Sequence, residues 1–142
     1  MHVLFICTGN ICRSPMAEAL AATRYAPPGF TFASAATGGL PGRPASAPAV
    51  RVMQEIGIDI TDHVSQDVFT AITEDPDFIY CMTESHRDRL RALRPAWSGR
   101  IFLLDPEGVA IDDPYTLDDD TYRRVRDEID RALAARNQEW VS

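Results

Sequence analysis

The chain opens on an apolar run, HVLFI at residues 2–6, that ends abruptly at the polar segment CTGNICRS and is followed at once by proline and a stretch of helix formers. The run alternates little between apolar and polar residues and is rich in branched and aromatic side chains. That pattern marks a strand buried on both faces. Such a strand needs covering layers above and below it, so helices must pack on both sides of its sheet.

The rest of the chain supplies them. MAEALAATRY favours a helix up to about Tyr25, with Ser14 as N-cap and Pro15 at its first position. Phe30 to Ala36 alternates as a second strand, and Thr37 to Pro48 is a long loop rich in Gly, Pro and Ala. Ser46 caps a helix through Ile56 that stops at Gly57, and Gln66 to Ile72 is expected as a shorter helix. Asp77 to Met82 reads as strand three, and Thr83 caps the amphipathic helix ESHRDRLRAL, which Pro95 ends. Arg100 to Leu104 reads as strand four. From Asp118 to Gln138, Tyr122, Val125, Ile129 and Leu133 recur at helical spacing.

The expected fold is therefore α/β: a three-layer, doubly wound, four-stranded parallel sheet with helices on both faces and a phosphate-binding loop after the first strand. At 142 residues, with no internal repeat or linker, a single domain over 1–142 is expected. The apolar run of Val3 to Ile6 is too short for a secretory signal and lacks a basic flank, so the expected compartment is the cytoplasm. A formal net charge of -7 disfavours nucleic acid and anionic membranes as partners. Nothing in the apolar pattern demands a dimer, which leaves a monomer as the expectation.

Chemistry concentrates in the segment Cys7-Thr8-Gly9-Asn10-Ile11-Cys12-Arg13-Ser14. A free thiol is only slightly ionised at neutral pH, and attack on phosphorus needs the thiolate. Full ionisation asks for about 4 kcal/mol, more than the ~0.3–2 kcal/mol a helix terminus supplies. Inward-pointing loop N–H groups must provide the remainder, with Gly9 and Asn10 able to take left-handed backbone angles. Arg13 suits bidentate pairing with two phosphoryl oxygens. Ser14 can donate to the sulfur, which would make it a better leaving group. Each residue alone is more often an ordinary core thiol or helix-entry charge; their joint placement between a strand and a helix favours phosphate chemistry. All 14 basic residues are Arg, and without Lys a Walker-type loop is excluded.

The segment CTGNICRSPMAEAL resembles the signature of the bacterial-type low-molecular-weight protein tyrosine phosphatases. SAAT at residues 34–37, GIDITDHVS at 57–65, YCMTESH at 80–86 and DDPY at 112–115 follow that family's order and spacing. The resemblance implies hydrolysis of phosphotyrosine through a phosphocysteine intermediate, with catalytic Cys7, Arg13 and Asp113. On the residues alone Asp112 rivals Asp113; the Asp-Pro-Tyr match selects Asp113, with Pro114 stiffening its loop. The resemblance also implies phosphate and substrate binding by Thr8, Gly9, Asn10, Ile11, Cys12, Ser14, Leu40 and Tyr115. Leu40 stands where many members carry an aromatic wall residue. Ser34 and His63 are implied to buttress the loop.

No metal and no cofactor are expected, because neither the histidines nor the three cysteines have ligand spacing. Expected partners are phosphotyrosine-bearing proteins, among them a cognate tyrosine kinase. Cys12 either forms a reversible disulfide with an oxidised Cys7 or packs as an inert thiol. Two other activities remain open. A protein-arginine phosphatase would share the loop but tends to carry threonine where Ile11 stands. An arsenate reductase would need further cysteines, for which Cys81 is the sole candidate.

Overall fold

The computed structural model describes residues 1–72 and 74–141. Four strands, β1 (His2–Cys7), β2 (Thr31–Ala36), β3 (Phe78–Cys81) and β4 (Ile101–Leu103), form one parallel sheet in the order β2-β1-β3-β4. Cys7 pairs with Ala36 and Ile6 with Cys81, so β1 lies between strands wound in opposite directions. That crevice at the strand carboxyl ends is where ligands of such sheets bind.

Successive β1 side chains serve opposite layers, as strand geometry requires. Val3, Phe5 and Cys7 join a core with helices α1 (Arg13–Leu20), α2 (Ala47–Gln54) and α4 (Asp119–Trp140). Leu4 and Ile6 face the other layer, with Leu90 of α3 (Glu84–Leu93) and Trp97 of a short 3-10 helix, Pro95–Arg100. All six β1 residues are buried. At about 1.5–3 kcal/mol for each large apolar side chain, this strand is the anchor from which the following loop departs. Tyr122, Val125, Ile129 and Leu133 line the buried face of α4, as their spacing predicts. Among the described residues no helix is long and apolar enough to cross a membrane.

Three local expectations need correction. Ser14 does not cap α1: the helix begins at Arg13, Cys12 holds the N-cap position without a side-chain cap bond, and Pro15 is the third helical residue. The Ser14 hydroxyl is engaged instead by Cys7 and Asn10. The second helix ends at Gln54, and although Ser46 stands at its N-cap, its hydroxyl turns to Tyr122 at 3.1 Å rather than to the helix. Gly57, with φ 78°, completes the stop. Gln66 to Ile72 is not a helix. Asp67 forms a parallel bridge to Ala36, and its carboxylate accepts from the Phe69 N–H at 3.2 Å and the Thr70 hydroxyl at 3.0 Å, a local turn that competes with helix formation.

Candidate active site

β1 delivers Cys7 to the crevice and α1 begins six residues later, so the intervening chain must curl back over the sulfur. Asn10 makes the curl by taking φ 57°. Asparagine tolerates this left-handed conformation better than most residues. Gly9 does not need it. The glycine that the geometry requires is Gly39, at φ 100°, where a Cβ would lie 3.2 Å from the Gly9 Cα. The Thr37 and Gly38 N–H groups bind the Cys7 and Thr8 carbonyls at 3.0 Å each, lashing the long loop onto the phosphate loop.

The Asn10 N–H points at the Cys7 sulfur, 3.3 Å away. Among the described residues, the N–H groups of Gly9, Ile11, Cys12 and Arg13 donate to no backbone carbonyl. They are therefore free for an anion at the start of α1, where the helix dipole adds to their field.

Behind the loop runs a hydrogen-bond chain. Glu18 can only accept, so the Ser34 hydroxyl donates to it at 2.6 Å. Ser34 in turn accepts from Asn10 Nδ2 at 2.8 Å, and the second Nδ2 proton goes to Ser14 Oγ at 2.8 Å. Ser14 Oγ lies 2.9 Å from Cys7 Sγ with its own proton unspent, so it is the donor once the sulfur is a thiolate. The Gln66 N–H donates to Asn10 Oδ1 at 3.1 Å, which fixes which end of the amide is which. His63 Nε2 binds the Asn10 carbonyl at 2.6 Å. The fold thus brings Asn10, Ser14, Ser34 and His63 together around the loop. Glu18 and Gln66 were missed, since nothing in their local sequence distinguishes them from ordinary surface residues.

A cavity of ≈170 Å3 opens over the sulfur, lined by Cys7, Thr8, Gly9, Ile11, Cys12, Arg13, Arg43, Asp113 and Tyr115. Asp113 lines it and Asp112 does not; Asp112 faces a separate depression against α4. Leu40 is 69% exposed and does not line this cavity; Ser65 donates to its carbonyl at 2.8 Å, and Arg43 further along the same loop is among the lining residues.

Arg13 is 4% exposed. Its Nη1 donates to the Ile111 carbonyl at 2.9 Å, and Nη2 lies 3.6 Å from Asp113 Oδ2. Its Nε has no partner at all, and among the described residues it is the buried side-chain nitrogen or oxygen left in that state. Asp113 accepts from the Tyr115 N–H at 3.0 Å, which aims the carboxylate over the cavity.

The other two thiols differ from Cys7 in setting. Cys12 Sγ lies 3.2 Å from the Tyr122 hydroxyl and 3.4 Å from Ser46 Oγ, and burial pushes its thiol up. Cys81 is fully buried on the opposite face of the sheet, where burial raises it to about 12. Among the described residues no three His, Cys, Asp or Glu side chains converge as metal ligands.

A family model described as low molecular weight phosphotyrosine protein phosphatase matches residues 2–139. Over 114 residues the chain is 42% identical to a probable low molecular weight protein-tyrosine-phosphatase, EpsP, of Ralstonia solanacearum, an alignment covering 80% of this chain and 77% of that one. Among solved structures, the YwlE arginine phosphatase of Geobacillus stearothermophilus superposes with TM-score 0.91 at 30% identity, over 98% of this chain and 92% of its own. Vibrio vulnificus Wzb in complex with benzylphosphonate gives TM-score 0.90 at 30% identity, over 97% of both chains.

Proposed function

Because the chain belongs to the low molecular weight phosphotyrosine protein phosphatase family, and is thus a cysteine-dependent enzyme acting on phosphotyrosine, we propose that Cys7 is its nucleophile, Arg13 its phosphate clamp and Asp113 its general acid. The observation that carries this assignment is the unpartnered Nε of Arg13. A buried donor without an acceptor costs about 1–3 kcal/mol, and folding tolerates it where a ligand completes the bond. With Nη1 spent on Ile111, the free Nε–Nη2 edge is the fork that matches two oxygens of a phosphoryl group.

In the first step the Cys7 thiolate attacks phosphorus in line. The P–O bond to the tyrosine ring breaks as the Asp113 carboxyl gives its proton to the departing phenolic oxygen. Arg13 and the loop N–H groups hold the three equatorial oxygens as charge builds on them. In the second step the Asp113 carboxylate takes a proton from water, which attacks phosphorus. The P–S bond breaks, releasing phosphate and returning the thiolate, which the Ser14 hydroxyl stabilises as a leaving group.

Phosphotyrosine is favoured over phosphoarginine by the cavity walls. Ile11 and Tyr115 offer apolar surface to an aryl ring, and Ile11 offers no hydroxyl to a phosphoguanidinium. Overall likeness does not discriminate, since an arginine phosphatase and a benzylphosphonate-binding Wzb superpose about equally well. Arsenate reduction finds no support, because the third thiol is sealed in β3. We assign the work to the cytoplasm, on phosphotyrosine-bearing proteins that include a cognate kinase; three free thiols fit a reducing compartment.

The test is hydrolysis of p-nitrophenyl phosphate in EDTA, followed by rates on phosphotyrosine and phosphoarginine peptides. Turnover that vanishes in Cys7→Ser and prefers the phosphotyrosine peptide is expected. Activity retained in Cys7→Ser rejects the nucleophile, and a preference for phosphoarginine rejects the substrate.

A further inference from the structure

His86 is a buried titratable group, 6% exposed, that the steps above leave unused. It sits in the first turn of α3, where its N–H faces the Thr83 hydroxyl in a capping box. The Thr83 backbone N–H meets His86 Nδ1 at 3.2 Å, and the Thr83 hydroxyl meets the same nitrogen at 3.0 Å. A backbone N–H can only donate, so Nδ1 must be the acceptor. Burial and the neighbouring Arg13 hold the His86 pKa at about 4, against a smaller opposing pull from Asp113, so the ring is neutral near neutral pH and carries one proton. That proton is therefore on Nε2. It points at Thr8 Oγ1, 2.8 Å away.

The consequence falls on Thr8. Its oxygen accepts from His86, so its own hydroxyl proton must go elsewhere, and among the described residues no protein acceptor receives it. Thr8 lines the cavity beside Cys7, Arg13 and Asp113. Arg13 has no lone pair to offer, and Asp113 must carry a proton for the first step. A bound phosphate monoester brings several strong acceptors into the same space.

We propose that the Thr8 hydroxyl, oriented by His86, donates a hydrogen bond to an oxygen of the phosphate monoester bound over Cys7, which makes Thr8 a substrate-binding donor and His86 a positioning residue. The proposal rests on the cysteine-phosphatase reading and adds to it a donor that is a side chain rather than a loop amide. It also gives the neutrality of His86 a purpose: a ring with one N–H, anchored from behind by Thr83, dictates the direction of the Thr8 O–H.

The experiment uses the whole chain with p-nitrophenyl phosphate. Thr8→Val, which keeps the shape and removes the hydroxyl, is expected to lower kcat/KM about tenfold or more. Thr8→Ser should recover most of that loss. His86→Phe should lower kcat/KM by a similar factor, and the Thr8→Val/His86→Phe pair should lose little beyond either single change. Nitrogen-15 NMR of the wild-type histidine rings at pH 7 should show His86 as the neutral Nε2–H tautomer, a readout independent of any variant's folding. Thr8→Val within twofold of wild type, losses that multiply in the double variant, or an Nδ1–H ring would each overturn the proposal. A wild-type protein without turnover overturns the parent reading and this one with it.

Discussion

His63 Nε2 reaches the carbonyl oxygen of Asn10 at 2.6 Å, across 53 residues of sequence. In a trans peptide the carbonyl and the following N–H point in opposite directions. The bond to His63 fixes the side on which the Asn10 oxygen lies and leaves the Ile11 N–H, which donates to no backbone carbonyl, on the opposite side of the peptide. The bond also braces Asn10 in its left-handed conformation, φ 57°.

His63→Ala should therefore lower kcat/KM about tenfold, and the inhibition constant for inorganic phosphate should rise with it, since both depend on the same amides. His63→Gln, which can still donate, should recover part of the loss. Kinetics and phosphate inhibition indistinguishable from wild type would show that His63 does not orient the loop.

Asp113 lines the cavity while Asp112 faces away from it. Asp113→Asn is expected to cut kcat by about 10²–10⁴, and more for phenyl phosphate than for p-nitrophenyl phosphate, whose leaving group needs less protonation. Asp112→Asn should leave that leaving-group dependence unaltered. Equal losses on the two esters in Asp113→Asn would remove it from the general-acid role.

Gly39 is held at φ 100° with the Gly9 Cα in the path of any Cβ. Gly39→Ala combines backbone strain with that close contact, so a loss of about 1–3 kcal/mol is expected, together with a fall in activity as the phosphate loop is pushed. Gly38→Ala, where a Cβ meets nothing within 4 Å, serves as the control. Urea midpoints of the two variants should differ; coincident midpoints would contradict the packing argument.

What could be read before the fold was known follows a physical division. The β1 strand, the amphipathic α4 and the Thr83 cap are local patterns, and all three stand where Val3 to Ile6, the spacing of Tyr122 to Leu133, and Thr83 beside a helix former put them. Cys7 and Arg13 stand out as a candidate pair in the sequence because the loop that carries them is contiguous. Glu18, Gln66 and His86 do not, since each acts only through partners brought in by the fold: Ser34, Asn10 and Thr8 respectively. Ser14 misled in a different way. A serine before Pro at a helix start looks like a cap, yet its hydroxyl has a stronger claim from Cys7. That Arg43 rather than Leu40 lines the cavity was not legible either, because loop composition carries no information on which side chain turns inward.

The buried His86 gives the folded state a pH dependence of known sign. Its pKa of about 4 lies below the ordinary histidine value of 6.5, so the folded state favours the neutral ring. Above pH 6.5 both folded and unfolded forms are neutral and the full stability is present; as pH falls from 6.5 toward 4, the unfolded chain binds the proton first and stability drops, by at most about 3 kcal/mol. Between pH 7 and pH 4.5, His86→Gln should lose less stability than wild type in urea titrations. Equal losses would place the dependence on other groups.

The central claim is that Cys7 takes the phosphoryl group onto sulfur. Rapid acid quench of the wild-type protein during turnover of an aryl phosphate, followed by peptide mapping, tests it directly. Phosphorus bound to the thiol of Cys7, accumulating to a larger fraction in Asp113→Asn with a good leaving group because the water step is slowed, is the expected result. A quench that finds phosphate released at full rate with none ever on Cys7 would contradict the account.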